Sequence, residues 1–443
     1  MASISKNAAI TFSSGIVIFI IGLITSIIIA RVLGPEGQGI YSLILLFPTI
    51  ILLVGSLGIE AANVYFTGSK KYEIKDILSN SLLIGIILGA ALIFLFFMIF
   101  QLNIFQDFIH SNNIKPIYLW LIVLTIPASL IFGFIRSTFL GQEKIVLYNK
   151  LNILQTSLQF LGVFVLLILL KQGVFGAVLS YLITTFIILL IVILLIAKIT
   201  KLSLKFNKKL SKDAIKYGVK CYFGNIAQFL NYRLDMFLVA IFLNTTAVGF
   251  YGLAVGIAEK LWMLPGAIST VLFPRISSLN DEKANDLTPK VARNTFFITF
   301  MLSLVLLVIS TPVIRILFGS AFLPSVVPLL ILLPGIIALA GAKTLTADLA
   351  GRGKPQYGTY AAFISLGVTI PLDIWLIPKW GISGAAFASS VAYSLTTIII
   401  IIAFSKVSKK PWTEICFIKI QDLKEYWKVL IKSMDKIGLF AKH

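Results

Sequence analysis

The sequence predicts an all-α polytopic membrane protein of about twelve transmembrane helices, and three observations carry that expectation. Of its 443 residues, 58% are hydrophobic and only 13% charged, with a mean hydropathy of +0.98, well above the range of water-soluble domains. The apolar residues form repeated runs of about 20, enough at 1.5 Å per residue to cross roughly 30 Å of hydrocarbon. Most of the charged residues sit between these runs, in the loops that join the spans.

In chain order the spans fall near residues 8–30, 39–66, 77–100, 116–139, 146–170, 174–197, 213–243, 247–273, 291–317, 325–349, 357–377 and 381–404. The first run is too long for a signal-peptide core and lacks a small-residue cleavage site, so it is expected to be retained. Between the first two spans lies ARVLGPEGQGIY, Ala30 to Tyr41. There Arg31 reads as an interface anchor, Gly34-Pro35 as a helix stop, and Gly37 and Gly39 as residues that permit a tight reversal.

Fainter copies of such stretches recur. Gly39-Ile40-Tyr41-Ser42-Leu43 matches Gly249-Phe250-Tyr251-Gly252-Leu253, and Gly141-Gln142-Glu143-Lys144 matches Gly351-Arg352-Gly353-Lys354, both at an offset of 210. Lys171-Gln172-Gly173 with Gly176-Ala177 matches Lys379-Trp380-Gly381 with Gly384-Ala385 at an offset of 208. Collinear matches of this kind imply two six-helix bundles, residues 1–200 and 213–405, related by a pseudo-twofold along the membrane normal. The cytoplasmic linker is 201–212, in a lysine-rich stretch suited to anionic membrane lipids. The tail, 411–443, places Ile420, Leu423, Trp427, Leu430, Met434 and Ile437 at helical spacing with lysines off that stripe, the pattern of a basic amphipathic helix in the membrane interface.

The formal net charge of +20 is carried mainly by alternate loops. With the N-terminus inside, about eighteen lysines and arginines face the cytoplasm against about five outside, as the positive-inside rule requires. That distribution orients the chain in the cell membrane with both termini cytoplasmic, and it removes the reason to expect a nucleic-acid partner. Cys221 and Cys416, with His110 and His443, have no metal-ligand spacing. Gly335 to Thr344, GIIALAGAKT, has the wrong spacing for a phosphate loop, and no His or Cys nucleophile constellation is present. The expectation is therefore a transporter without a cofactor, not an enzyme. A membrane glycosyltransferase would want a large outer loop, and Gln101 to Lys115 is too short to build its site.

ARVLGPEGQGIYSL, followed by LGIEAANVYF at the end of the second span, resembles the polysaccharide flippases of the multidrug/oligosaccharidyl-lipid/polysaccharide exporter superfamily. NYRLDMFLVAIFL (Asn231 to Leu243), VGFYGLAVGIAEKLW (Val248 to Trp262) and VLFPRIS (Val271 to Ser277) extend the resemblance, which covers Lys6 to about Ser405. It implies two six-helix bundles around a central cavity that works by alternating access. It also implies a substrate, a sugar chain on a polyprenyl diphosphate, carried from the cytoplasmic to the outer leaflet. The peptidoglycan-precursor branch typically has more spans, which points away from it. A drug or organic-cation antiporter of the same superfold is the alternative, and would want an acidic, aromatic cavity.

Charges deep in the spans are costly and mark candidate sites. Arg136 and Lys343 lie at equal distances after Pro127 and Pro334; symmetry would set them face to face across the axis, where two cations could hold a diphosphate. Arg136 reads equally as a residue snorkelling to the inner surface. The seventh span carries Asn225, Gln228, Tyr232 and Asp235 as one polar stripe, with Asn231 and Arg233 beside it; glue between helices is the competing reading. Arg233 and Asp235 diverge on the helix, so each needs a partner elsewhere. Glu259 and Lys260 fall near the midplane of the eighth span, and Lys260 joins the substrate-binding candidates. Asp235 and Glu259, with Glu60, Asp348 and Asp373, are candidates for coupling to H⁺ or Na⁺, and structural ion pairing is the alternative for each. Tyr217, Tyr222, Tyr357, Tyr360, Trp262 and Trp375 suit interface anchoring better than sugar stacking.

Overall fold

The computed structural model describes residues 2–199, 206–422 and 424. Residues 201–205 of the expected linker, and Leu423, Trp427, Leu430, Met434 and Ile437 of the expected tail stripe, lie outside the described residues.

Every regular element among the described residues is helical: α1 Ala2–Gly55, α2 Ile59–Gly68, α3 Ile74–Phe100, α4 Asn103–Ser111, α5 Pro116–Val123, α6 Ile126–Gly141, α7 Ile145–Val163, α8 Gly173–Ile199, α9 Lys208–Phe242, α10 Thr245–Ala258, α11 Met263–Ser277, α12 Asp281–Leu317, α13 Val326–Gly351, α14 Gln356–Trp380, α15 Ile382–Ser408 and α16 Trp412–Cys416. Asparagine side chains start three of them by accepting a main-chain N–H one turn on: Asn207 from Leu210 at 3.0 Å, Asn244 from Ala247 at 2.9 Å and Asn280 from Lys283 at 3.2 Å.

Ten helices among the described residues are long and apolar enough to cross a bilayer, against the twelve expected, and the differences have local causes. The first two expected spans belong to one 54-residue element whose only non-helical residue is Gly34, at φ 66° and ψ −178°. The anticipated reversal is thus a one-residue kink, after which Pro35 supplies a φ already suited to a helix start. Below it, Leu57 (φ 50°) and Gly58 (φ 69°) interrupt the expected second span and start α2. α9 is 35 residues long but its polar residues dilute its hydropathy. A π-helical turn, Phe164–Leu169, ends the fifth expected span, and a 3₁₀ turn, Glu259–Trp262, breaks the eighth between α10 and α11.

α13, α14 and α15 pack together, as do α3 with α6 and α7 with α1 and α8, while α1 meets α10, and α9 runs from α2 at one end to α14 at the other. One buried apolar cluster joins these groups, from Ile29 and Leu43 through Val239 and Tyr251 to Phe404. Large apolar side chains such as Phe94 and Val308 point outward and stay exposed, as lipid-facing positions should.

The helix ends gather at two poles. A hinge end holds Gly34, Asn244, Leu317 and Gly381; a lysine-rich end holds Lys71, Lys144, Lys208 and Arg352. At the lysine-rich end Gly58 and Gly218 touch backbone to backbone, so that a Cβ on Gly218 would lie 2.2 Å from the Leu57 carbonyl oxygen. Tyr65 and Tyr217 stack beside them at 4.7 Å, and Asp213 accepts from Lys71 Nζ and Tyr72 Oη, each at 2.8 Å. At the hinge end α1 and α10 close through Gly39 and Gly249.

Candidate functional site

Two cavities hold candidate residues, and α9 contributes to the lining of each. The first, about 510 Å³, is lined by Glu60, Arg136, Ser137, Tyr148, Asn225 and Phe229 among others. α6 delivers Arg136, whose Nη1 donates to Asn152 Oδ1 at 2.9 Å and whose guanidinium lies 5.2 Å from the Phe132 ring and 5.4 Å from that of Tyr148. The aromatic faces and one amide fix the guanidinium without neutralising it.

The second cavity, about 330 Å³, is lined by Gln228, Tyr232, Ser269, Lys343, Thr346 and Thr396 among others. Lys343 Nζ stands 4.4 Å over the ring of Trp262 and 5.7 Å from that of Tyr232. The 3₁₀ turn aims Trp262 inward, and its Nε1 donates to the Ile336 carbonyl at 3.2 Å. Tyr393 packs edge-on to both Trp262 and Tyr232, so the platform under the ammonium is rigid. Arg136 and Lys343 therefore line different cavities rather than one shared chamber. Among the described residues neither makes an ion pair.

The polar residues of α9 have three destinations. Asn225 faces the first cavity, Gln228 and Tyr232 the second, and Asn231 and Asp235 are buried against α10, α14 and α15. Asp235 accepts from Tyr251 Oη at 2.6 Å, Ser389 Oγ at 3.0 Å and the Met236 N–H at 2.7 Å. Asn231 Oδ1 accepts from Thr369 at 2.8 Å, but among the described residues its Nδ2 has no partner, and neither oxygen of the fully buried Asp373 has one. Two carboxylates and an idle amide thus share one buried pocket of polar groups, which is costly unless a proton or a cation enters.

Other candidates are occupied structurally. Arg233 and Glu259 form a two-pronged pair, with Nη1–Oε1 and Nη2–Oε2 both 2.8 Å, so each is the partner that the other required. Asp348 accepts from Arg352 Nε at 2.6 Å and from Thr288 Oγ1 at 2.5 Å, locking α13 to α12 at the lysine-rich end. Lys260 is exposed, 5.5 Å from the Phe19 ring, away from both cavities. Trp375 stays at a surface with Lys379 Nζ 4.3 Å over its ring. Sequence reasoning missed Asn152, Tyr251 and Ser389. For Tyr251 a signal existed, since it sits inside the repeated GFYGL.

The family described as polysaccharide biosynthesis protein matches residues 4–280. The chain belongs to this polysaccharide biosynthesis family. A second family description, lipid II flippase MurJ, matches residues 160–441. Among curated relatives, the probable low-salt glycan biosynthesis flippase Agl15 of Haloferax volcanii is 23% identical, over 84% of this chain and 77% of its own. A putative O-antigen transporter of Shigella flexneri is 24% identical, over 84% and 90%. Among solved structures, lipid II flippase MurJ in an inward closed conformation superposes with a TM-score of 0.78 at 20% identity, covering 90% of each chain. An inward-facing multidrug resistance MATE transporter of the MOP superfamily superposes at 0.67 and 15% identity, covering 91% of this chain and 99% of its own. The polysaccharide biosynthesis family thus has here the fold of the MOP superfamily, and the likeness extends to MurJ despite the difference expected from span number.

Proposed function

We propose that this chain flips polyprenyl-diphosphate-linked oligosaccharide from the cytoplasmic to the outer leaflet by alternating access. The observation that carries the reading is the pair of intramembrane cations, Arg136 and Lys343, each in a cavity and neither ion-paired. A half-buried cation held in no salt bridge among the described residues favours an anionic guest, and a guanidinium with free donors suits a diphosphate. The flippase and O-antigen transporter relatives support the same class of cargo. The lysine-rich end faces the cytoplasm, by the charge bias of the loops, and the protein resides in the cytoplasmic membrane. The kinked α1 supplies two spans and α9 one more, giving twelve in two six-helix halves. Transport needs no covalent step.

H⁺ or Na⁺ couples through Asp235 and Asp373. Their shared burial, with the Asp373 oxygens and Asn231 Nδ2 unpartnered, supports that assignment over Glu259 and Asp348, which are paired, and over Glu60. Entry of a cation would neutralise the cluster and change how α9, α10, α14 and α15 pack.

The test is reconstitution in vesicles with a labelled lipid-linked oligosaccharide, following its leaflet with and without a pH or sodium gradient. Movement that depends on Arg136 and Lys343 is expected; no movement overturns the reading. Glu60 in the first cavity favours the second reading, an organic-cation antiporter, which predicts export of a lipophilic cation by the same vesicles.

A further inference from the structure

Arg31 does not end its helix as a free interface anchor. Its Nε donates to the Leu317 carbonyl at 2.7 Å and its Nη2 donates to the Ile316 carbonyl. These are the last carbonyls of α12, which its own helix cannot satisfy and where the helix dipole gathers negative charge. The guanidinium therefore caps a helix 286 residues away in sequence, three residues before the Gly34 kink and at the same end as the Gly39–Gly249 contact. The repeat offers no second copy: at the offset of 210, Arg31 corresponds to Ile241, an exposed apolar side chain. This arginine clasp thus has no counterpart at the repeat-related position.

We propose that Arg31 is the positioning residue that holds the hinge end shut, so that its release from α12 accompanies opening of that end. The inference rests on the alternating-access reading above. Separation of α1 from α10 must carry Arg31 away from α12 or drag α12 with it. Two hydrogen bonds from a cation to main-chain carbonyls are broken in either case, and water replaces them at a cost. Because the acceptors are carbonyls, no change of side chain on α12 and no protonation near neutral pH loosens the clasp. Only movement does. The clasp is also compatible with a passing anion, since a diphosphate arriving at the hinge end offers the guanidinium a better acceptor than a carbonyl.

The test is chemical labelling of full-length protein in nanodiscs, which needs no substrate. Cys221 and Cys416 are replaced by serine, and a reporter cysteine is placed at Thr245, buried under Gly39. A second reporter, at Ala214, is buried at the lysine-rich end. In Arg31→Ala, a hydrophilic maleimide should modify Thr245→Cys about tenfold faster, the loss of roughly one charge-assisted hydrogen bond. Arg31→Lys, which can still cap a carbonyl, should fall between, and Ala214→Cys should not speed up. Unchanged labelling at Thr245→Cys, or equal acceleration at both reporters, overturns the proposal, the latter meaning general loosening. Failure of the vesicle flipping assay with a positive labelling result would sink the transport reading and leave the clasp standing.

Discussion

Gly39 and Gly249, the same position of the two sequence repeats, lie against each other across the hinge end. A Cβ on Gly39 would stand 1.7 Å from the Thr245 carbonyl oxygen, and one on Gly249 would stand 2.0 Å from that of Pro35. The repeated G-φ-Y motif is therefore a contact surface between its own two copies, and the missing side chains let two helices approach at backbone distance. Backbone cannot yield as a rotamer can. Gly39→Val and Gly249→Val are expected to force the ends apart, lowering transport at least tenfold and costing about 1–3 kcal/mol of stability as overpacking does. Thermal unfolding in detergent and the vesicle assay check both; full transport by either variant would mean that this contact never needs to form.

The two cavity cations give a second prediction. Arg136→Ala and Lys343→Ala should each leave the protein in the membrane while abolishing surface polysaccharide, because removing a cation from a polar cavity strips an anion site without opening a packed core. Arg136→Lys should recover only part of the activity, since an ammonium cannot hold Asn152 and a bidentate anion together. Normal polymer in Lys343→Ala, measured on cells with matched protein levels, would refute its role.

How much of this was legible in the residues themselves differs by scale. The all-helical, many-span character followed from apolar run length, because lipid demands about 20 apolar residues per crossing whatever the packing, but the exact helix count did not, since the breaks at Gly34, Leu57–Gly58 and Glu259–Trp262 divide or join runs in ways that length does not show. The polar residues of α9 were found by their spacing, but not their three destinations. Periodicity gives an angle around a helix axis, and α9 is surrounded by different neighbours along its length. The pairing of Arg233 with Glu259 was half legible: neither could be satisfied by Asp235 or Lys260 beside it, yet nothing in one chain's order says which helix supplies the partner. Arg31 was misjudged for the same reason, as an arginine at a span end ordinarily reaches the interface, and only tertiary structure brings the end of α12 beneath it.

A third prediction concerns that pair. Arg233 and Glu259 side chains are 29% and 17% exposed, so Glu259→Gln leaves a mostly buried guanidinium without its counter-ion. A loss of about 3 kcal/mol is expected, read as a fall in melting temperature, and Arg233→Met with Glu259→Met together should cost less than Glu259→Gln alone. If the double variant is the less stable of the two, the pair supplies more than mutual neutralisation.

Asp373→Asn separates coupling from folding. The amide keeps the shape but can neither bind nor release a proton, so stability should hold or rise, while the response of transport to an imposed pH or sodium gradient should vanish. Asp235→Asn should lose the gradient response too, but also weaken its bonds from Tyr251 and Ser389. A gradient response in Asp373→Asn equal to that of the parent would remove it from the coupling site.

The last prediction concerns the segment after α15. Asp422, buried beneath α12, accepts from Arg293 Nε at 2.5 Å and Arg293 Nη2 at 2.9 Å, and Lys410 Nζ reaches Asp286 at 3.0 Å. Arg293 holds the Asp422 carboxyl below its ordinary value of 3.8, the main cause being the hydrogen bonds that only the charged form accepts fully. A carboxyl whose value is lowered on docking contributes its stabilisation above the undocked value and loses it as the pH falls through the docked one. Docking of residues 412–422 should therefore be constant from about pH 5 upward and be released only in stronger acid. Hydrogen exchange over that segment measures it directly: slow and pH-independent protection at neutral pH is expected, with rapid exchange in Asp422→Asn at every pH. Protection in Asp422→Asn that matches the parent would mean that α16 and its apolar contacts hold the segment without the ion pair.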